Sequence, residues 1–183
     1  GGRGTRMGGR DKGLVELNQS PFIEHALKIA RPYSDDLIIS CNRNQELYRQ
    51  YSVTLVEDEQ QDFPGPLAGI LAGMEVARHG ALMVLPCDTP MIPDDLPERL
   101  YSAFCDNPEG ISLVNDGERR QPLHAIVPTH LKESLRQFLA ADHHGVFRWY
   151  KQYPVNEVIY EGQADAFTNI NRLEELQAIA KQG

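Results

Sequence analysis

The chain has 183 residues, which suits one domain with a sizeable core and predicts a single domain over residues 1–183. It carries 18 Lys and Arg residues against 26 Asp and Glu residues, and the net charge of −8 argues against binding to nucleic acid or to an anionic membrane. No apolar run approaches the roughly eighteen residues that span a bilayer, so we expect no membrane insertion.

The three cysteines, Cys41, Cys87 and Cys105, are odd in number and share no C-x-x-C spacing. This pattern predicts neither a disulfide framework nor a zinc site, and it favours a reducing compartment. The expected location is therefore the cytoplasm.

Taken in chain order, the apolar periodicity predicts strands that alternate with helices. The predicted elements are the helix "SPFIEHALKIARPY", the strand "LIIS", the helix "NQELYRQY", the strand "VTLVE", the helix "PLAGILAGMEVARHG", the strand "ALMVLP", the helix "DDLPERLYSAF", the strands "GISLV" and "LHAIV" around the turn "NDGERRQ", the helix "THLKESLRQFLA", the strand "VNEVIY" and the helix "RLEELQAIAK". Ser20, Asp94 and Thr129 are the expected helix caps. The alternation predicts a three-layer α/β/α sandwich with a Rossmann-like, mainly parallel sheet.

The chain opens on "GGRGTRMGGRDK", a glycine-rich segment that contains Arg3, Arg6 and Lys12. Backbone N–H groups and cations in one loop suit a polyphosphate, and a mobile tail is the alternative. No Ser or Thr follows Lys12, and the spacing is not G-x-G-x-x-G, so the segment matches neither familiar glycine motif. We expect it to follow a first strand that precedes Gly1.

Polar residues follow the predicted strands, at the sheet edge where α/β proteins bind ligands. Asp88 comes directly after a buried strand, where it could bind Mg²⁺ together with substrate phosphates or could cap a helix. Asp94 is the better cap candidate, which leaves Asp88 for chemistry. Asp58 could accept a hydrogen bond from a base or ribose, or could be a solvated loop residue.

Three further features have a structural and a functional interpretation. Gly65 and Gly69 permit close approach of a ligand, although helix packing explains them nearly as well. The pair His143 and His144 suggests a metal or an acid/base site, but no third ligand stands at recognisable spacing, so a solvated loop is favoured. Cys87 is interpreted as a packed small residue rather than a nucleophile, because the sequence shows no activating base.

Five stretches carry a resemblance to a known family: "GGRGTRMGGRDKGL", "EDEQQDFPGPLAG", "LPCDTPMIP", "NDGERRQPLHAIV" and "FTNINRLEEL". In this order and at these intervals they resemble the molybdenum cofactor guanylyltransferases, which are MobA-type nucleotidyltransferases. The resemblance covers nearly the whole chain. It implies a fold of the nucleotide-diphospho-sugar transferase type. It also implies attack by the terminal phosphate of Mo-molybdopterin on the α-phosphate of GTP, with Mg²⁺ required and pyrophosphate released.

The resemblance also assigns residues by position in the family motifs. Arg6, Lys12 and Asp88 are the implied catalytic residues, and Asp88 is the implied Mg²⁺ ligand. Ser40 stands where a relative has a GTP-contacting Asn, and Asn42 could substitute for it only if the backbone curls inward. Gly9 also falls on a motif position. The implied GTP contacts are Gly1, Gly2, Lys12, Ser40, Asp58 and Asp88. The candidates for the pterin side are Gly65, Gly69, Asn169 and Asn171.

Two other functions stay open at this point. A transferase of the same fold could use CTP with a pterin, sugar or polyol phosphate, and a non-catalytic module could hold a nucleotide or act as a cofactor chaperone. The implied partners of the guanylyltransferase are GTP, Mo-molybdopterin and the molybdoenzymes or chaperones that receive the finished cofactor.

Overall fold

The computed structural model describes residues 11–57 and 65–171. The strands are β1 (Glu16–Leu17), β2 (Ser20–Pro21), β3 (Ile38–Ser40), β4 (Thr54–Val56), β5 (Ala81–Val84), β6 (Ile111–Asn115), β7 (Arg120–Pro128) and β8 (Val155–Ile159). The helices are α1 (Phe22–Ala30), α2 (Gln45–Tyr48), α3 (Pro66–Val76), α4 (Leu96–Asp106), α5 (Lys132–Ala140) and α6 (Val146–Tyr150). Short 3₁₀ turns cover Lys12–Leu14, Arg49–Tyr51, Thr129–Leu131 and Ala164–Phe167.

The strands form a short hairpin and two larger units. β1 pairs with β2 in antiparallel fashion, β3 runs parallel to β4, and the third unit has the strand order β5-β7-β6-β8. In that unit β6 and β8 are parallel, whereas β7 is antiparallel to both β5 and β6. β7 reverses direction because the turn "NDGERRQ" joins it directly to β6, as the sequence predicts.

The core lies on both faces of the four-stranded sheet, because successive side chains of a strand point to opposite faces. Leu113 and Ala125 pack on one face with residues of α3, α5 and α6. Val114 and Ile126 pack on the other face with residues of α1 and α4. Helices therefore cover the sheet on both sides, in agreement with the predicted α/β/α layers.

Among the described residues, β3, β4, β5 and β8 each have a hydrogen-bonded neighbour on one edge only. β3 pairs there only with β4, and β5 only with β7. α3 packs against β3, β4 and β5 and so holds the two sheets side by side. The strand expected before Gly1 stays a prediction.

The three predicted helix caps are wrong. Ser20 belongs to β2, and α1 begins at Phe22 with no side-chain cap. α4 begins at Leu96, where the backbone carbonyl of Pro93, rather than Asp94, accepts the first N–H. Thr129 lies in a 3₁₀ turn and donates from Oγ1 to the carbonyl of His79 at 3.0 Å. Tertiary contacts and prolines determine where these helices begin, so the Ser, Asp and Thr side chains nearby do not act as caps.

Two further predictions concern helices. The last predicted helix, "RLEELQAIAK", lies outside the described residues. The five-residue α6 was not predicted, because it is too short to show a helical period. In the part of the chain that the structure describes, no helix has the length and apolar character that a membrane span needs.

Candidate functional site

A cavity of about 400 Å³ opens at the carboxyl ends of β3 and β5, a volume in the usual range for small-molecule sites. The 3₁₀ turn at Lys12, the start of α3 and the segment near Asn169 complete its walls. The structure thus brings together residues from distant parts of the sequence. Those predicted residues that line the cavity are Lys12, Ser40, Asn42, Gly65, Gly69, Asp88 and Asn169.

Lys12 joins two of the predicted site residues. Its Nζ donates to Asp88 Oδ2 at 2.5 Å and to Asn171 Oδ1 at 2.6 Å. The Lys12 and Asp88 side chains are only 27% and 14% exposed, so water screens this ion pair less than a surface pair. The backbone N–H of Ile170 also donates to the carbonyl of Asp88 at 2.8 Å. Asp88 and Asn171 are therefore held on either side of one ammonium group.

The second carboxylate oxygen of Asp88 has a different environment. Oδ1 is buried and has no hydrogen-bond partner among the described residues. A buried carboxylate oxygen without a partner is unfavourable, because it loses hydration and gains nothing in return. Such an atom suits a site that is completed by a ligand.

The donor set at Asp88 fits Mg²⁺. Magnesium takes hard oxygen ligands, keeps several waters and is usually bound by one or two carboxylates together with substrate phosphates. Within residues 11–57 and 65–171 no group of three or more His, Cys, Asp and Glu side chains could hold a metal ion. A site built on Asp88 would thus depend on substrate oxygens for the rest of its ligands.

Sequence reasoning missed the residues that hold the Lys12 turn. Asp11 Oδ1 accepts from Gly13 N at 3.2 Å and from Tyr48 Oη at 2.8 Å, and Asp11 Oδ2 accepts from Asn44 Nδ2 at 3.2 Å. Burial, followed by the hydrogen bond to Asp11, raises the pKa of Tyr48, so its hydroxyl stays protonated and donates. The available signal was Asp11 itself, directly before Lys12 in the opening motif.

Ser40 and Asn42 both line the cavity, so the predicted alternative between them is not decided by position. Ser40 Oγ is buried and has no hydrogen-bond partner in the described part of the chain. It faces α3 at Gly69, where a Cβ atom would lie 2.9 Å from it. Gly69, a candidate for the pterin side, and Ser40, a candidate for GTP, are therefore neighbours in one cavity.

This contact predicts an energetic coupling between Gly69 and Ser40. We expect Gly69→Ala to destabilise the protein by about 1 kcal/mol because the new methyl group overpacks against Ser40. In a Ser40→Ala background the same change should stabilise it by about 1 kcal/mol, since alanine is the better helix former. Urea denaturation of the four proteins measures both effects. Equal effects of Gly69→Ala in the two backgrounds would contradict the contact.

Cys87 precedes Asp88, but its environment is that of a packed residue, as predicted. It packs against two apolar clusters, and burial, followed by the charge of Asp88, raises the pKa of its thiol to about 12. A thiol with this pKa is a poor nucleophile near neutral pH.

We therefore expect alkylation to separate the cysteines. At pH 8, iodoacetamide should modify the exposed Cys105 and leave Cys87 and the buried Cys41 unmodified in the folded protein, as mass spectrometry of peptides would show. The same treatment in urea is the control, because all three thiols should then react. Rapid labelling of Cys87 in the folded state would contradict the raised pKa of this packed thiol.

The remaining predicted residues divide into two groups. His143 and His144 lie half-buried after α5 rather than in a fully solvated loop, with His144 Nε2 2.9 Å from Asp142 Oδ1 and Arg148 Nη2 3.3 Å from His143 Nε2. They belong to no three-residue metal cluster of the described ranges. The residues that lie outside the described part of the chain are Gly1, Gly2, Arg3, Arg6, Gly9 and Asp58.

Comparison with known proteins identifies the family. The model of the MobA-like NTP transferase domain matches residues 1–158. The chain belongs to the MobA-like NTP transferase family. Molybdenum cofactor guanylyltransferase of Pseudomonas aeruginosa strain LESB58 is 53% identical over 135 residues, which are 74% of this chain and 68% of the relative. Its counterpart in Shewanella amazonensis is 38% identical over 181 residues, which are 99% of this chain and 92% of the relative.

Solved structures show that this MobA-like chain has the fold of nucleotidyltransferases. Molybdopterin-guanine dinucleotide biosynthesis protein A from Archaeoglobus fulgidus has a TM-score of 0.81 at 20% identity, with 100% of this chain and 94% of that chain covered. 2-C-methyl-D-erythritol 4-phosphate cytidylyltransferase from Thermus thermophilus has a TM-score of 0.71 at 16% identity, with 93% of each chain covered. The resemblance found in the motifs and the α/β nucleotidyltransferase fold are confirmed.

Proposed function

We propose that this MobA-like protein transfers GMP from GTP to the terminal phosphate of Mo-molybdopterin, releases pyrophosphate and so forms the molybdopterin guanine dinucleotide cofactor. The names of relatives that align over most of their length support the activity. The observation that carries the proposal is the contact of Lys12 with Asp88 and Asn171, where Lys12 and Asp88 line the cavity. This contact joins the first, third and fifth of the five family motifs.

The chemistry of nucleotidyl transfer explains why these residues suffice. In the reaction an oxygen of the acceptor phosphate attacks the α-phosphorus of GTP, and the bond to the leaving pyrophosphate breaks. Catalysis therefore needs positioning and charge neutralisation more than a protein nucleophile. Lys12 supplies a positive charge for the phosphates, held in place by Asp88 and Asn171. The high pKa of the neighbouring Cys87 agrees with a mechanism that uses no thiolate.

Asp88 is the residue that would hold Mg²⁺, through the buried oxygen Oδ1 that lacks a protein partner among the described residues. When bound, the ion would neutralise the negative charge of the α-phosphate and of the leaving pyrophosphate. Lys12 keeps Asp88 oriented from the other oxygen, Oδ2. Arg6 and Asp58 complete the proposed set by their positions in the family motifs.

Nucleotide selectivity tests the proposal. Isothermal titration with GTP, CTP and ATP in Mg²⁺ should show a clear preference for GTP that weakens in Asp88→Ala. Pyrophosphate release should then require both GTP and Mo-molybdopterin. Preference for CTP would instead indicate a cytidylyltransferase, and GTP binding without pyrophosphate release would indicate a nucleotide-binding chaperone.

We further propose that the protein is cytoplasmic, that residues 1–183 form a single domain and that the product passes to molybdoenzymes or chaperones. The residues proposed for the pterin side are Gly65, Gly69, Asn169 and Asn171.

A further inference from the structure

His124 is a buried polar residue for which the proposed mechanism has no role. It lies in β7 with 1% of its surface exposed, and its Nε2 is 2.9 Å from Oγ1 of Thr89. Thr89 is also 1% exposed and directly follows Asp88. His124 therefore contacts the loop that carries Asp88 from inside the core.

The same imidazole also contacts the second loop of the site. Its ring meets the ring of Phe167 edge-on, with centroids 5.2 Å apart and an interplanar angle of 86°. Phe167 is fully buried and begins the stretch "FTNIN", which carries Asn169 and Asn171. One side chain thus supports both segments that the Ile170 N–H bond to Asp88 ties together.

The surroundings of His124 fix its proton. Nδ1 is buried and has no hydrogen-bond partner within the described residues, so an N–H there would be an unpaired buried donor. The proton is better placed on Nε2, which then donates to Thr89 Oγ1, and Thr89 in turn donates to the carbonyl of Pro86 at 3.4 Å. Burial lowers the pKa of His124 to about 4, so the ring stays neutral near pH 7.

We propose that His124 is a positioning residue that fixes Asp88 and Asn171 relative to each other through Thr89 and Phe167. The part of this inference that concerns catalysis rests on the proposed function. Burying a polar pair costs more free energy than burying an apolar pair of the same shape. In return, the hydrogen bond within the polar pair favours a single geometry. Here that geometry is the relative position of two loops that are also joined by the hydrogen bonds of Lys12 and by the Ile170 N–H bond to Asp88.

The first test needs no ligand, because it follows the amide of Ile170 by hydrogen exchange in NMR spectra. We expect His124→Leu and Thr89→Val to speed exchange at Ile170 by about tenfold beyond any change in the slowest core amides of β7. His124→Gln and Thr89→Ser retain a donor and a hydroxyl, and they should restore most of the protection. Ser134→Ala is the matched control, because it removes the acceptor of the Trp149 Nε1 hydrogen bond in another core cluster.

The second test asks whether the positioning affects catalysis. In His124→Leu and Thr89→Val, the Mg²⁺ concentration for half-maximal pyrophosphate release should rise by about tenfold. This is the usual size of the loss when a residue that orients a metal ligand is removed. Ser134→Ala should lower stability without this shift. If His124→Leu does not fold, the isosteric Thr89→Val decides both tests.

The outcomes distinguish this inference from the proposed function. Unchanged exchange at Ile170 in folded His124→Leu and Thr89→Val proteins would overturn the positioning role, whatever the activity of the wild type. A wild-type protein that neither binds GTP nor releases pyrophosphate would overturn the proposed function, while faster exchange at Ile170 would still support the positioning of the two loops by His124.

Discussion

Asp88→Asn should lower the rate of pyrophosphate release by about 10²- to 10³-fold, the usual loss when one group that stabilises transition-state charge is removed. The carboxamide keeps the shape of the side chain and an oxygen for Lys12, but it loses the negative charge that would bind Mg²⁺. We expect the free energy of unfolding to change by only about 1 kcal/mol, because Lys12 also donates to Asn171. Steady-state pyrophosphate release over a range of Mg²⁺ concentrations and urea denaturation measure the two effects.

Asp94→Asn is the matched control for this variant. Asp94 carries the same charge six residues further along the chain, and its side chain is exposed and outside the cavity. It should therefore retain wild-type turnover. Turnover of Asp88→Asn equal to wild type at saturating Mg²⁺ would remove Asp88 from the proposed mechanism.

Lys12→Ala should weaken GTP binding by about 10- to 100-fold, because a hydrogen bond to a charged group contributes about 1.5 to 3 kcal/mol. The variant removes the cation that lies between Asp88 and Asn171, and it leaves the negative charge of Asp88 unbalanced near the phosphates. We expect the fold to remain, since the Lys12 turn is also held by Asp11 and Tyr48. Isothermal titration with Mg²⁺ and GTP measures the affinity, and circular dichroism checks the fold.

Lys28→Ala controls for the loss of one positive charge from the whole protein. Lys28 is exposed on α1 and does not line the cavity, so this variant should bind GTP like the wild type. An unchanged affinity in Lys12→Ala would refute the role of this lysine. A loss of affinity in both variants would show that net charge, rather than the position of Lys12, controls binding.

The order of strands and helices could be predicted from the sequence because it depends on local periodicity. The apolar runs that became β5 and β6 and the amphipathic pattern of α4 are visible in short windows. Helix starts were less predictable: Ser20, Asp94 and Thr129 carry the chemistry of caps, yet none of them caps a helix. At each start a backbone carbonyl accepts the N–H group instead: that of Val15 for Phe22, that of Pro93 for Leu96 and that of Gly80 for Thr129.

The main candidates for the site could also be named from the sequence. Lys12 and Asp88 stand in motifs that suit phosphates and Mg²⁺, and Asn171 stands in the last family motif. The residues that support them were not available. Asp11 and Tyr48 hold the Lys12 turn, and nothing local to Tyr48 distinguishes it from an ordinary core residue.

By itself, the sequence determined the layer architecture and the chemical character of the polar loops that follow the strands, because both depend on residue types at short spacing. Only the tertiary structure decided that Lys12 donates to Asp88 and Asn171, which are 76 and 159 residues away. It also decided that His124 contacts Thr89 and Phe167. Contacts across such separations follow from how whole strands and helices pack, and no short segment of a sequence contains that information.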